Sequence, residues 1–274
     1  MKKINSTNMI LLLGVILCFF SSFITGNIVL GLIIFLASFG FVLYKQRASF
    51  MASSAAAAYK KGEIEKSFEL YEKALAIKGC PHMAKIVYAY YLVSEGKVSE
   101  CAKVLEALDY ESMNEHERLN YNATNALSIW KQGNIHRAIE IYEALLNEKD
   151  SLLIYETLGY LLIEAKDYEK ALIFNLKAVE LYSTNERIKS NLATSYYYLG
   201  HEKEAVRIYK ELIEDYANFP EPYYYYGLIL EACKKYKGAV KYWKMALEKK
   251  FSYLYPLSEE DIQHKIDEIA KIKY

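Results

Sequence analysis

The sequence lacks the residue patterns on which most enzymatic and metal sites depend. It has no glycine-rich phosphate loop and no His-Glu-x-x-His motif, and its five histidines are scattered rather than paired at metal-ligand spacing. Its four cysteines include no Cys-x-x-Cys pair, so we expect reduced thiols in the cytosol rather than a disulfide framework. We predict that the protein is not an enzyme and has no catalytic residue, no cofactor and no metal.

Acidic residues are absent from the first 47 positions, which contain four of the 34 lysines and arginines in the chain. The rest of the chain therefore carries 30 basic and 34 acidic side chains, a net charge of −4. Binding to nucleic-acid phosphates requires a basic face. A mildly acidic remainder therefore indicates that nucleic acid is not a partner.

One uncharged and mostly apolar stretch, Met9–Tyr44, dominates the N-terminal part. As a single helix it would measure about 54 Å, well beyond the ~30 Å hydrocarbon core of a bilayer. Gly26-Asn27 is a turn dipeptide that divides the stretch. The sequence therefore predicts a hairpin of two transmembrane helices, 9–25 and 28–44, within a membrane anchor of residues 1–47.

Basic residues flank both outer ends of this hairpin, at Lys2, Lys3, Lys45 and Arg47. By the positive-inside bias, both ends and everything after the anchor then lie in the cytoplasm, and the protein spans the cell membrane twice. The alternative is that residues 9–25 form a cleaved signal peptide. Residues 28–44 would then remain as an anchor in the same orientation.

Small residues recur at four-residue spacing in the first hydrophobic run, at Gly14, Cys18 and Ser22. Such a face lets another helix pack closely, whether from the same hairpin, from another membrane protein or from a second copy of the chain. This leaves open an alternative function, that of a scaffold or sensor subunit of a membrane complex acting through its transmembrane hairpin.

From about residue 48 the sequence is rich in helix formers, has few prolines and shows no sustained alternation of apolar and polar residues. This pattern predicts an all-α structure. Five segments share a short turn, then a small residue, then usually an aromatic residue four positions later: 59–75, 130–146, 164–179, 197–213 and 231–247.

Small residues also recur in pairs twelve positions apart, six times along the chain. The pairs are Ala55/Ser67, Ala89/Cys101, Ala126/Ala138, Gly159/Ala171, Ala193/Ala205 and Gly227/Ala239. This pattern resembles the tetratricopeptide repeat, a helix–turn–helix unit of 34 residues in which two helices approach closely at small side chains. The resemblance implies an α-solenoid of about six repeats over residues 48–253, after two transmembrane helices and before a capping helix within residues 254–274.

Four consecutive tyrosines, Tyr223–Tyr226, would by propensity favour a strand. The repeat register instead places them on the first helix of the sixth unit, just after two prolines, which are tolerated at a helix start. Neighbouring helices then cover both sides of this helix. We therefore expect Tyr223 and Tyr226 to pack inside, and Tyr224 and Tyr225 to point toward the concave surface or its rim.

The residues after Pro256 predict a terminal helix. Ser258 and Asp261 have the spacing of a capping box, and Ile262, Ile266 and Ile269 follow as an apolar stripe at helical spacing. A repeat array needs a last helix with a polar outer face, because each unit contacts only its neighbours. We predict that this helix caps the array.

In tetratricopeptide arrays the first helices of successive units line a concave groove that binds an extended peptide or a partner helix. The resemblance places ten residues in that groove: Ile86, Tyr90, Leu127, Trp130, Glu156, Tyr160, Arg187, Thr194, Tyr197 and Tyr224. Aromatic residues and arginine dominate the binding energy of many interfaces, and Trp130 is the strongest single candidate. The Lys and Asn cluster with which chaperone-binding members of the family clamp a terminal carboxylate is absent. The resemblance implies an adaptor held at the lipid bilayer, whose groove binds a protein or peptide in the cytoplasm.

Overall fold

The computed structural model describes residues 15–16 and 28–271. Over residues 28–271 the regular structure is helical throughout, with one short 3-10 turn at Tyr110–Ser112. The helices are α1 (Ile28–Lys60), α2 (Ile64–Leu75), α3 (His82–Ser94), α4 (Val98–Glu106), α5 (Glu115–Lys131), α6 (Ile135–Glu148), α7 (Leu152–Glu164), α8 (Tyr168–Leu181), α9 (Glu186–Tyr198), α10 (Glu202–Glu214), α11 (Glu221–Ala232), α12 (Tyr236–Leu247) and α13 (Glu259–Lys271). The predicted all-α class is confirmed for this part of the chain.

Two compact units make up the chain, residues 1–88 and residues 89–274. In the first unit, α1 and α2 pack against each other along the end of α1. Ala55 and Ser67, the first predicted small pair, are both fully buried there, and Ser67 Oγ donates to the Ala55 carbonyl oxygen at 2.8 Å. The close approach predicted from the two small side chains is therefore present.

Helix α1 is the one helix in the described part of the chain that is long and apolar enough to cross a membrane. It contains the second predicted span, and large apolar side chains such as Ile28, Val29 and Ile33 are exposed along it. The helix continues without a break past Tyr44 to Lys60, where it forms the first helix of the first repeat. The first predicted span, apart from Val15 and Ile16, lies outside the described residues.

In the second unit, the remaining predicted small residues lie at helix crossings and are buried. In the third to sixth repeats, the residue four positions after the small residue of the second helix forms a side-chain hydrogen bond with the first helix, whereas the second repeat has the buried Leu105 there. Tyr142 Oη donates to the Ala123 carbonyl oxygen at 3.1 Å, and Trp243 Nε1 donates to the Tyr224 carbonyl oxygen at 3.1 Å. Asn175, which replaces the aromatic residue in the fourth repeat, donates to the Gly159 carbonyl oxygen at 3.3 Å. These bonds fasten the two helices of a repeat together.

One residue in the turn between the two helices of every repeat has a positive φ. Four of the six are glycines, and the other two are Lys166 and Lys234, with φ of 62° and 60°. The left-handed conformation lets the chain reverse direction in a short turn, and side chains with a Cβ rarely adopt it. The repeating turn is therefore set by backbone geometry, and two lysines occupy it at an energetic cost.

The tyrosine run lies on α11, as predicted. Tyr223 is fully buried and its Oη donates to the Ala217 carbonyl oxygen at 3.1 Å, while Tyr226 is 9% exposed. Tyr224 and Tyr225 are half-buried. Tyr223 and Tyr226 are therefore buried as expected, whereas Tyr225 stacks on the buried Tyr209 ring, and the expected direction of Tyr224 and Tyr225 toward the concave surface stays a prediction.

The terminal helix α13 also begins as predicted. The Ser258 amide donates to Asp261 Oδ2 at 2.9 Å, and the Asp261 amide donates to Ser258 Oγ at 3.1 Å, which completes the capping box. Ile262 and Ile269 are buried in the same core as α11 and α12. Helix α13 therefore covers the apolar end of the array.

Candidate functional site

The first helices of the third to fifth repeats, α5, α7 and α9, form one face of the second unit, here called the first-helix face. The connection between α12 and α13 (residues 248–258) crosses this face. Its central part, the FSYLYP segment (Phe251–Pro256), contains a turn closed by a hydrogen bond from the Tyr255 amide to the Ser252 carbonyl oxygen at 3.0 Å. The turn brings the side chains of Tyr253 and Tyr255 against the first-helix face.

Tyr255 makes three contacts with this face. Its Oη donates to Glu156 Oε1 on α7 at 3.0 Å, its ring meets the edge of the Tyr160 ring at 4.6 Å between centroids, and Arg187 Cζ of α9 lies 4.1 Å from its ring centroid. Burial, followed by the nearby Glu156 carboxylate, raises the pKa of Tyr255 well above its ordinary value. The phenol therefore stays protonated and serves as a hydrogen-bond donor.

Arg187 is held in position by residues of the next repeat. Its Nη1 lies 3.2 Å from Glu221 Oε2, and its Cζ lies 4.0 Å from the ring centroid of Phe219. Glu221 is 8% exposed, and burial raises the pKa of its carboxyl group against the attraction of Arg187. The guanidinium is thus fixed between two aromatic rings, Phe219 and Tyr255, with a carboxylate at its edge, an arrangement that suits the planar arginine fork.

Tyr253 lies at the other end of the turn. Its ring is 3.3 Å from the position that a Cβ at Gly96 would take, and Lys131 Nζ lies 4.8 Å from its centroid. The same Nζ lies 3.8 Å from the Trp130 ring centroid. Burial lowers the pKa of Lys131 to about 8, against the attraction of Glu164. This lysine therefore contacts the rings of both Tyr253 and Trp130. The Trp130 ring in turn meets the Tyr160 ring, with 5.8 Å between the two centroids.

Four of the ten residues predicted to line the groove come together in this cluster: Trp130, Glu156, Tyr160 and Arg187. The other six are placed differently. Ile86, in the first unit, and Leu127 are buried, and Thr194 Oγ1 forms a hydrogen bond with the buried Tyr209 hydroxyl at 3.0 Å. Tyr90 is half-buried on α3 beside Tyr91, and Tyr197 and Tyr224 are half-buried around Tyr225.

Sequence reasoning missed the residues that complete the cluster, namely Lys131, Phe219, Glu221, Tyr253 and Tyr255. A signal for the last two is present in the sequence. FSYLYP is an uncharged, aromatic-rich stretch that falls between the last repeat and the cap, where the repeats elsewhere are joined by shorter connections. For Glu221 the signal is its spacing of 34 residues from Arg187, which places both at the same position of successive first helices.

Comparison with known proteins identifies the fold. Residues 126–251 match the family model described as tetratricopeptide repeat, which confirms the predicted resemblance over that part of residues 48–253. No curated protein sequence matches the chain.

Among solved structures, a tetratricopeptide repeat protein from Parabacteroides merdae ATCC 43184 is similar at a TM-score of 0.52 and 16% identity, over 82% of this chain and 100% of that one. MamA 41-end from Desulfovibrio magneticus RS-1 is similar at a TM-score of 0.48 and 13% identity, over 61% of this chain and 93% of that one. The likeness to the Parabacteroides protein shows the fold alone: the described helices form an α-solenoid of the tetratricopeptide-repeat kind.

Proposed function

We propose that the chain is a membrane-anchored interaction adaptor without catalytic activity, whose first-helix face binds a peptide or protein partner in the cytoplasm. One observation carries this proposal: the first-helix face already holds a peptide segment, FSYLYP, through a charged hydrogen bond, ring contacts and a stacked arginine. Interface anchors in proteins have this composition, with tryptophan, tyrosine and arginine clustered at the centre.

The anchor in this proposal is α1, with residues 9–25 as a second span. Arg47 Nη1 donates to the Tyr44 carbonyl oxygen at 2.6 Å, and its Cζ lies 3.7 Å from the Tyr44 ring centroid. Tyrosine and arginine commonly sit together at the level of lipid headgroups. This pair supports a membrane boundary near Tyr44, with the repeats on the cytoplasmic side.

The topology can be tested by single-cysteine accessibility. Cys18 and the exposed Cys233 are replaced by serine, the buried Cys80 and Cys101 are retained, and one cysteine at a time is placed at Asn5, Asn27 or Ser49. In intact cells an impermeant maleimide is expected to label the Asn27 site only. Labelling of the Asn5 or Ser49 site from outside would contradict two spans with a cytoplasmic array.

Partner binding can be tested with the full chain, crosslinked in cells and purified in detergent. Trp130→Ala removes the ring that meets the Tyr160 ring, whereas Tyr216→Ala removes an aromatic ring that is 82% exposed in a turn. We expect a defined partner to be enriched with the wild type and with Tyr216→Ala, and its yield to fall severalfold with Trp130→Ala. Equal recovery from all three would contradict the adaptor function of this face.

The second candidate function, a scaffold or sensor acting through Gly14, Cys18 and Ser22, concerns residues outside the described part of the chain. Deletion of residues 1–47 distinguishes the two functions. It should only delocalise an adaptor, whose partner would still be recovered with the remaining chain, but abolish a function of the hairpin.

A further inference from the structure

The FSYLYP segment is attached to the array at Phe251, its first residue, and at Leu257, the residue that follows it. Phe251 and Leu257 pack against the buried core of the last two repeats, whereas Tyr253 and Tyr255 lie outside that core. The backbone of the turn is closed by its own hydrogen bonds, from the Tyr255 amide to the Ser252 carbonyl oxygen and from the Leu254 amide to Ser252 Oγ at 3.4 Å. The turn can therefore leave the first-helix face without breaking a helix or opening the core.

The first-helix face recognises Tyr255 in the way a binding site recognises a ligand side chain. The hydroxyl donates to a carboxylate, Glu156, and the ring contacts both the Tyr160 ring and the Arg187 guanidinium. Two of these residues have contacts that do not involve the segment: Arg187 is paired with Glu221, and the Tyr160 ring meets the Trp130 ring. The backbone carbonyl oxygen of Glu156 accepts from Asn191 Nδ2 at 2.9 Å, which ties the helix that carries the carboxylate to α9. The part of the site that binds the ring is therefore preorganised for a tyrosine side chain.

Tyr253 occupies a second, shallower position. It is 48% exposed, and its ring lies near both Gly96 and the Lys131 ammonium group. A side chain at position 96 would stand against the ring, and Gly96 also has a φ of +77°. The half-exposed end is where an incoming segment can begin to displace the turn.

From these contacts we infer that the FSYLYP segment is an intramolecular occupant of the partner site, and that the partner carries a segment of the same chemistry: two tyrosines separated by one residue in a tight turn. This inference rests on the proposed function, since it names the ligand class of the same face. While attached, the segment acts at an effective concentration on the order of millimolar. It therefore closes the face to weak ligands and admits a partner whose segment binds more tightly.

The test uses the full chain in detergent micelles and a fluorescein-labelled peptide of residues 249–258, KKFSYLYPLS, in a fluorescence-polarisation titration. In the opened variant, Tyr253→Ala/Tyr255→Ala, the attached segment no longer competes. We expect it to bind the peptide at least about tenfold more tightly than the wild type does. Tyr216→Ala, the exposed-tyrosine control, should bind like the wild type, and a peptide with both tyrosines changed to alanine should not bind the opened variant.

Tyr255→Phe keeps the ring and removes only the hydroxyl that donates to Glu156. This variant keeps the test decisive if the double variant does not fold. It should bind the peptide about fivefold more tightly than the wild type, because the loss of a hydrogen bond to a charged group weakens the binding of the attached FSYLYP segment. A second measurement is acrylamide quenching of tryptophan fluorescence. Trp243 is fully buried, so increased quenching in the opened variant reports exposure of Trp130.

Peptide binding that is equal in the folded wild type and in the folded variants would overturn the inference, as would equal binding of the alanine peptide. Failure of the inference and failure of the adaptor function give different results. If Trp130→Ala loses the cellular partner while the opened variant binds the peptide no better, the function stands and the occupant is wrong. If the opened variant binds the peptide but no partner depends on Trp130, the FSYLYP segment is an occupant of the face, but the adaptor function fails and with it the ligand class inferred for a partner.

Discussion

Gly227 offers a direct test of the idea that small residues set the distance between the helices of a repeat. A Cβ added at Gly227 would lie 2.3 Å from Trp243 Nε1 and 2.6 Å from Trp243 Cδ1, where ordinary contacts are 3.4–4 Å. The indole cannot move away freely, because it is fully buried and its Nε1 donates to the Tyr224 carbonyl oxygen. Gly227→Ala must therefore displace the ring, the helix or both.

The magnitude follows from three contributions. Overpacking costs about 1–3 kcal/mol, and a buried N–H left without its acceptor costs about 1–3 kcal/mol. Alanine gains about 1 kcal/mol over glycine in a helix. The net loss in the free energy of unfolding is thus about 3 kcal/mol, which should lower the melting temperature by roughly 6–12 °C for a domain of this size.

The assay is thermal unfolding of the full chain in mild detergent, followed by far-UV circular dichroism. Gly238→Ala is the matched control, because its Cβ would meet only the flexible end of Leu230 at 3.3 Å, and it should leave the melting temperature unchanged or slightly raised. Trp243→Phe removes Nε1, the atom that a Cβ at Gly227 would meet most closely, and replaces the indole by a smaller ring. The double variant Gly227→Ala/Trp243→Phe should therefore be less destabilised than the sum of the single changes. If Gly227→Ala melts at or above the wild type, close approach is not the reason for glycine here.

Three further changes test the site and the turns, each by thermal unfolding of the full chain. Arg187→Ala leaves the buried Glu221 carboxylate unpaired and should lower the free energy of unfolding by about 2–3 kcal/mol, less than the ~3–5 kcal/mol expected for a fully buried pair. Arg187→Met/Glu221→Gln should recover most of this loss. An equal loss in both variants would refute the pairing argument. The pKa of Lys131 is lowered to about 8, so the unfolded chain binds more protons than the folded chain between about pH 8 and 10.5. The cost in stability of burying the charged ammonium group is therefore present below pH 8 and is lost as pH rises. Lys131→Met should therefore be more stable than the wild type near neutral pH by a margin that shrinks above pH 8, and a constant margin would contradict the shift. Lys234→Gly should stabilise by about 0.5–1 kcal/mol and Gly133→Ala should destabilise by about 1 kcal/mol, because both residues have positive φ and nothing lies within 4 Å of a Cβ at Gly133; effects of the opposite sign would refute the backbone argument.

The repeat register could be predicted from the sequence because it depends on side-chain volume alone. A position where two helices touch accepts only a small residue, so Ala126, Gly159 and Ala193 mark the crossings directly. The tyrosine run followed from the same register, since its burial depends on which helix it belongs to. The hydrogen bonds from Tyr142 and Trp243 to the first helix could not be predicted in this way, because they depend on rotamers and helix offset.

The site could be predicted only in part for a different reason. Glu156, Tyr160 and Arg187 lie on first helices, and the register therefore places them on one face. Tyr255 reaches Glu156 across 99 residues of sequence through a connection that has no periodicity. Neither residue type nor spacing specifies the path of such a connection, so the occupant of the face could be found only from the structure.

The same register extends beyond the sixth repeat and explains where the FSYLYP segment comes from. Arg187 pairs with Glu221 and Glu231 pairs with Lys265 at 3.2 Å, each across 34 residues, so α13 takes the position of a seventh first helix. Asp261, 34 residues after Gly227, is exposed and caps α13, which has no second helix in the described residues to approach it. The FSYLYP segment therefore lies in an ordinary connection between two units that has been lengthened. The longer connection places the segment over the first-helix face, while the helix crossings on either side keep their spacing. A repeat array can in this way gain a segment that competes with a partner for the face without losing stability.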